Sequence, residues 1–186
     1  GLSIVSKSQN PSQQNQYTQE LRYNYSGEKF DFVLGGFGFY QRIDTQGTEQ
    51  HGKDSSRWTL SPTAALNGGA LLINDPSVLE GLTAINTQYL KNTSVALFGQ
   101  LSWNVSDQFT IQPGVRVNYD KKDGFYQRRV YLSDGTEIFP SAITPGGALT
   151  GDAKVINDAR IGVFAPQEIS PSFSDWNFSY DLTANY

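Results

Sequence analysis

Hydrophobic and polar residues alternate without a break from Phe109 to Asp120, FTIQPGVRVNYD. Phe109, Ile111, Pro113, Val115, Val117 and Tyr119 fall on one side of an extended chain. Thr110, Gln112, Gly114, Arg116, Asn118 and Asp120 fall on the other. A period of two marks a strand whose two faces meet different solvents. The charged pair Arg116 and Asp120 makes one of those faces wet. About a dozen residues is also the length of a tilted strand that crosses a bilayer.

The same pattern predicts four further strands. Residues 17–26 place Leu21, Tyr23 and Tyr25 opposite Glu20, Arg22 and Asn24. Residues 30–43, FDFVLGGFGFYQRI, carry aromatics on both sides, so their apolar face is ambiguous. Residues 94–105 set Val95, Leu97, Leu101, Trp103 and Val105 against Gln100, Ser102 and Asn104. Residues 173–186 set Trp176, Phe178, Tyr180, Leu182 and Tyr186 against Asn177, Ser179, Asp181 and Asn185. The strand at 109–120 can extend to 131 in a hairpin with Asp134-Gly135 at its tip. Tight turns at Ser26–Lys29 and Ser106–Gln108 join neighbouring strands. Polar stretches of about fifty residues, 44–93 and 121–172, join the others and read as loops, with a short helix starting near Pro76.

Short and long connections therefore alternate. Loops of that length are uncommon in compact soluble domains, whereas outer-membrane barrels have short turns on one side and long loops on the other. The expected class is all-β: an antiparallel transmembrane β-barrel segment of about five strands with long extracellular loops. Two other architectures fit the same alternation. One is a self-contained outer-membrane barrel of porin or adhesin type. The other is a soluble β-sandwich binding module.

Composition narrows the choice. Hydrophobic residues make up 38% of the 186, low for a packed core of this size, while aromatics reach 13% and glycines number 18. That mixture suits strands around a partly polar interior. A formal charge of −4 points away from nucleic acid. The absence of cysteine rules out disulfides and thiolate metal sites. No apolar run is long enough for a membrane helix, so any crossing must use strands.

Three segments resemble the barrel of TonB-dependent outer-membrane receptors. YTQELRY followed by KFDFVLGGFGFYQ is similar to that family's hairpin of F-S-Q-E-L-R and F-x-x-x-x-G-x-F-Y. SVALFGQLSWNVSDQFTIQPGVRVNYDKK resembles its next hairpin, and FSDWNFSYDLTANY the downward strand after that. The resemblance implies a 22-stranded barrel around a plug domain, in the outer membrane of a Gram-negative bacterium. It also implies uptake of iron–siderophore complexes, cobalamin, haem or sugars, driven by the TonB complex, with a ferric siderophore the first expectation. Neither a plug nor a TonB box is recognisable in the chain, and Val117 stands where the family usually has Tyr. About five strands cannot close a barrel, and lipid does not tolerate open edges, so the chain reads as a mid-barrel segment of a longer receptor.

Candidate chemistry is sparse. Glu20, Arg22, Arg116 and Asp120 fall on the polar faces, as a ladder of paired charges that would meet the lumen and its plug. Phe125, Tyr126, Arg128, Arg129 and Tyr131 form an aromatic and basic group, the best candidate for contact with a ligand. Lys121, Lys122 and the two arginines beside them suit lipopolysaccharide phosphates or an anionic siderophore. His51, the one histidine, sits among polar residues and reads as a solvated loop residue rather than a haem or metal ligand. No catalytic constellation, metal set or cofactor motif stands out, so enzymatic activity is not expected.

Overall fold

The computed structural model describes residues 1–63, 65–66 and 68–186, and they form two compact units. Unit 1 comprises Gly1–Gln13, Asp44–Tyr89 and Phe125–Ser170; unit 2 comprises Gln14–Ile43, Leu90–Gly124 and Pro171–Tyr186. The strands are β1 (Val5–Gln9), β2 (Ser12–Ser26), β3 (Phe30–His51), β4 (Thr83–Ser106), β5 (Phe109–Tyr131), β6 (Gln167–Ile169) and β7 (Ser172–Asn185). The described residues also form two helices, α1 (Ser55–Thr59) and α2 (Gly151–Val163), and two single 3-10 turns. The seven strands belong to one open sheet.

In unit 2 the strands run in the order β2, β3, β4, β5, β7. The β5–β7 ladder is antiparallel and unbroken from Thr110 opposite Asn185 to Asp123 opposite Ser172. One face is polar: Gln112 donates to Ser102 (3.2 Å), Thr110 to Asn104 (2.9 Å), Ser94 to Asp120, and Ser26 to Asp31. The other is apolar and open, with Leu21, Leu34, Leu97, Val115, Trp176 and Leu182 all exposed. Rings meet along it across neighbouring strands, Tyr25 with Phe32 at 5.2 Å and Tyr119 with Trp176 at 4.9 Å.

The ambiguous β3 is settled by its neighbours. Phe32 and Leu34 join the apolar face, where Leu34 lies over Gly99. Gly35 points to the polar face and carries the Phe98 ring against its backbone, so closely that a Cβ there would overlap the ring. This is the close approach for which a strand glycine is suited.

Unit 1 is built the other way round. Leu72, Val78, Leu79, Leu82, Ala84, Val130, Ile138 and Phe164 form a buried cluster, with Val155, Ile156, Ala159 and Val163 of α2 packed against it. β1 pairs with the end of β3, from Val5 opposite His51 to Gln9 opposite Thr48. β6 pairs with β5 through Tyr126–Ile169, Gln127–Glu168 and Arg128–Gln167. At the end of β5 a tight turn with Gly135 at φ 85° folds Glu137 back against Tyr131.

Much of what reads in sequence as loop is therefore regular. β3 continues to His51, β4 begins at Thr83 and 151–163 is helical, while β5 takes the extension to Tyr131 that its pattern allows. Backbone pairing, not side-chain alternation, extends these strands: β1 is wholly exposed and has no apolar rhythm to announce it. His51 is not a solvated loop residue; it ends β3 and is 7% exposed. The short helix near Pro76 is a 3-10 turn, with Asp75 accepting from the Ser77 amide at 2.9 Å. Among the described residues no helix is long and apolar enough to cross a membrane.

Candidate functional site

In unit 2, β2 and β5 bring most of the charged candidates to one polar face. The Arg22 guanidinium lies 5.6 Å from the centre of the Phe98 ring and that of Arg116 lies 5.9 Å from it. The far edge of the Phe98 ring lies against Gly35, and its π face attracts both cations. Arg22 also pairs with Glu20, two residues along the same face. Arg116 donates to Asn118 at 2.7 Å instead. Asp120 accepts from Ser94, so it is not the partner of Arg116 in these contacts. The arrangement is a polar surface rich in donors and acceptors, with two exposed guanidinium groups at its centre.

In unit 1, β5 divides the aromatic and basic group between its faces, because neighbouring side chains point in opposite directions. Tyr126 and Arg128 lie on the side of Val130, which enters the core. The Tyr126 hydroxyl and the Arg128 Nε both donate to Asn86 Oδ1 at 2.8 Å, and Arg128 sits 5.9 Å from the Phe164 ring. Phe125, Arg129 and Tyr131 take the opposite side. Phe125 stacks on Tyr89 at 5.3 Å. Arg129 reaches Glu137 at 3.7 Å. Its hydrogen bond with Tyr131, then the Glu137 charge, hold the guanidinium above its ordinary pKa. The five residues thus make two separate surfaces.

Two features of unit 1 escape a reading of sequence alone. One is an open groove of about 710 Å³, lined by Leu132, Ile138, Phe139, Leu149 and Ile156, with Arg160 at its border. Arg160 itself turns to the carbonyls of Val78 (2.8 Å) and Ser77 (3.2 Å), and burial lowers its pKa. The spacing of Val155, Ile156, Ala159 and Val163, with Asp152 in the first turn and Arg160 in the last, is the helix signal that announces this wall.

The second is the surrounding of His51. Its Nδ1 lies 3.0 Å from Ser55 Oγ. This is not a hydrolytic pair, because Ser55 is fully buried and its hydroxyl donates to the Ile4 carbonyl. No group of three or more His, Cys, Asp or Glu side chains suited to a metal exists among the described residues.

A family model described as TonB dependent receptor-like, beta-barrel matches residues 3–186. Neither the curated proteins nor the solved structures gave a match.

Proposed function

The chain belongs to the TonB-dependent receptor-like β-barrel family, and on that premise we propose that it helps import a ferric siderophore into a Gram-negative bacterium. Its role is transport across the outer membrane through a β-barrel, in a family that works with an internal plug and the TonB complex. The observation that carries the reading is the two-sided sheet of unit 2. An uncovered apolar face spread over five strands is foreign to a water-soluble domain, while a barrel wall needs one lipid face and one wet face.

In this reading the polar face turns to the lumen, where Glu20, Arg22, Arg116 and Asp120 meet the plug. Segments 44–93 and 121–172 lie outside the cell. Tyr126 and Arg128 on one side of β5, and Phe125, Arg129 and Tyr131 on the other, supply aromatic and cationic surface for an anionic iron chelate, while Lys121, on the apolar side of the strand, faces lipopolysaccharide phosphates at the rim and Lys122 turns to the polar side. The family and the charge of these side chains support a siderophore. Uptake of labelled ferric siderophore by iron-starved cells tests it, comparing cells with and without the intact receptor and with and without TonB. Uptake that needs both supports the proposal. Iron uptake and growth unchanged by loss of the receptor would falsify the siderophore.

A further inference from the structure

His51 stands where four segments of unit 1 meet. It closes β3 and receives β1 through the pairing with Val5. Its Nδ1 meets Ser55, the first residue of α1, and Ser55 passes its own proton to the carbonyl of Ile4 in the N-terminal segment. Its ring packs on Phe164, the residue that caps α2, at 4.8 Å between centroids. Ser55 has a single hydroxyl proton, already given to Ile4, so it can only accept from His51. Nδ1 therefore carries the hydrogen, and the imidazole is neutral with a bare Nε2. That Nε2 is buried and has no hydrogen-bond partner.

Protonation would place a second N–H on the buried, unpartnered Nε2 and a full charge on the ring. A buried donor without a partner is costly, and a buried unpaired charge more so. The charged groups around the ring give little relief. The Ile4 carbonyl, and after it Glu49 on the same strand, draw the proton inward, but more weakly than burial opposes it. Asp54 before α1 is engaged by the Ser3 amide at 2.7 Å. Arg128 of β5 stands over Phe164 with the wrong sign, and Arg160 of α2 is bound to backbone carbonyls.

We propose that His51 is an acid-sensitive latch: neutral, it holds the N-terminal segment, α1 and the end of α2 together, and protonation releases them. Burial lowers the His51 pKa below its ordinary 6.5 in the folded state. The unfolded state then binds more protons between the folded pKa and 6.5. Stability from the latch is complete above 6.5 and falls as pH drops from 6.5 toward the folded pKa. The latch itself follows from the geometry; its exposure to the pH of the medium rests on the extracellular placement proposed above.

The test is hydrogen exchange by mass spectrometry on the intact receptor in lipid vesicles, between pH 7.5 and 5. Exchange across residues 151–164, divided at each pH by the intrinsic rate of the unprotected amides, should rise up to about tenfold per pH unit below 6.5, reverse on return to pH 7.5, and stay level in His51→Phe. A wild-type profile that is level over this range, or a His51→Phe profile that rises alike, overturns the latch. Should His51→Phe fail to assemble, exchange at the imidazole carbon of His51 in the wild type gives its pKa directly. A midpoint below 6.5 supports the latch, and one at or above 6.5 overturns it. None of these readouts depends on which nutrient is carried, so failure of the latch and failure of the uptake proposal are separable.

Discussion

Leu79 in unit 1 is 0% exposed and Leu97 in unit 2 is 68% exposed. Eight residues form the buried apolar cluster of unit 1. Unit 2 contributes Ala96 alone to the buried apolar residues and leaves its large hydrophobics outside. One short chain thus solves two folding problems. In water, apolar side chains must cover one another. Beside hydrocarbon they need no cover, and backbone hydrogen bonding carries the order instead. The comparison teaches that exposure of a leucine is no measure of its environment until the solvent on that side is known.

The largest expected effect is on the water-facing half of the comparison. Leu79→Ala removes a side chain with no access to solvent and should cost about 2–5 kcal/mol. Hydrogen exchange across 72–84 and 151–163 in the intact receptor should show the loss. A change below about 1 kcal/mol would mean that this cluster is not a close-packed core.

Next comes the test that can break the comparison outright. Leu97→Arg should cost about 2–4 kcal/mol in lipid if its side chain lies near the bilayer midplane, and Val105→Arg, next to the turn at Ser106, about 0–1 kcal/mol. An exposed leucine that faces water would tolerate the change within about 0.5 kcal/mol. Urea titration of the receptor folded into vesicles decides between these. Equal and negligible costs at 97 and 105 would return unit 2 to the soluble sandwich.

How much of this contrast the sequence displays depends on which solvent pair wrote it. β5 and β7 are legible because water and hydrocarbon lie on opposite sides, so every second residue repeats the message. β3 is not, since Phe37 and Phe39 on the polar side mimic the apolar one. Only the seating of Phe98 on Gly35 and of Leu34 over Gly99 separates its faces. Unit 1 is harder. Its core comes from scattered residues such as Leu72, Val130 and Phe164, which no local period connects. α2 has helical spacing but is preceded by Pro140, Pro145 and a pair of glycines, which read as loop. His51 lies among polar neighbours in sequence, and its burial is a tertiary fact. The charged candidates on β2 and β5 share a face, as alternation implies, whereas alternation also splits the group at 125–131 into two.

A smaller effect tests the seat of Phe98. Gly35→Ala should cost about 1–3 kcal/mol, because the new methyl group forces the ring off the backbone. Combining it with Phe98→Ala should recover most of that loss, since neighbours that clash couple in a double-mutant cycle. Strictly additive losses, measured by the same urea titration, would show that the ring does not rest on Gly35.

The smallest effect concerns the two guanidinium groups on that ring. A cation over an exposed aromatic face contributes about 0.5–1 kcal/mol, and an exposed ion pair about 0.2–1 kcal/mol. Arg22 has both, through Phe98 and Glu20, and Arg116 has the ring and the neutral Asn118. Arg22→Ala should therefore cost slightly more than Arg116→Ala in the isolated barrel, with both below about 1.5 kcal/mol. Repulsion between the two cations is screened by salt over about 8–10 Å, so it lowers both values without reversing their order. The plug changes this balance. If Arg116 faces a plug carboxylate, its truncation in the plug-containing receptor should cost more than in a barrel from which the plug has been deleted, and the excess should shrink in high salt. Equal losses with and without the plug would leave Arg116 as a strut of the sheet, serving Phe98 and nothing across the lumen.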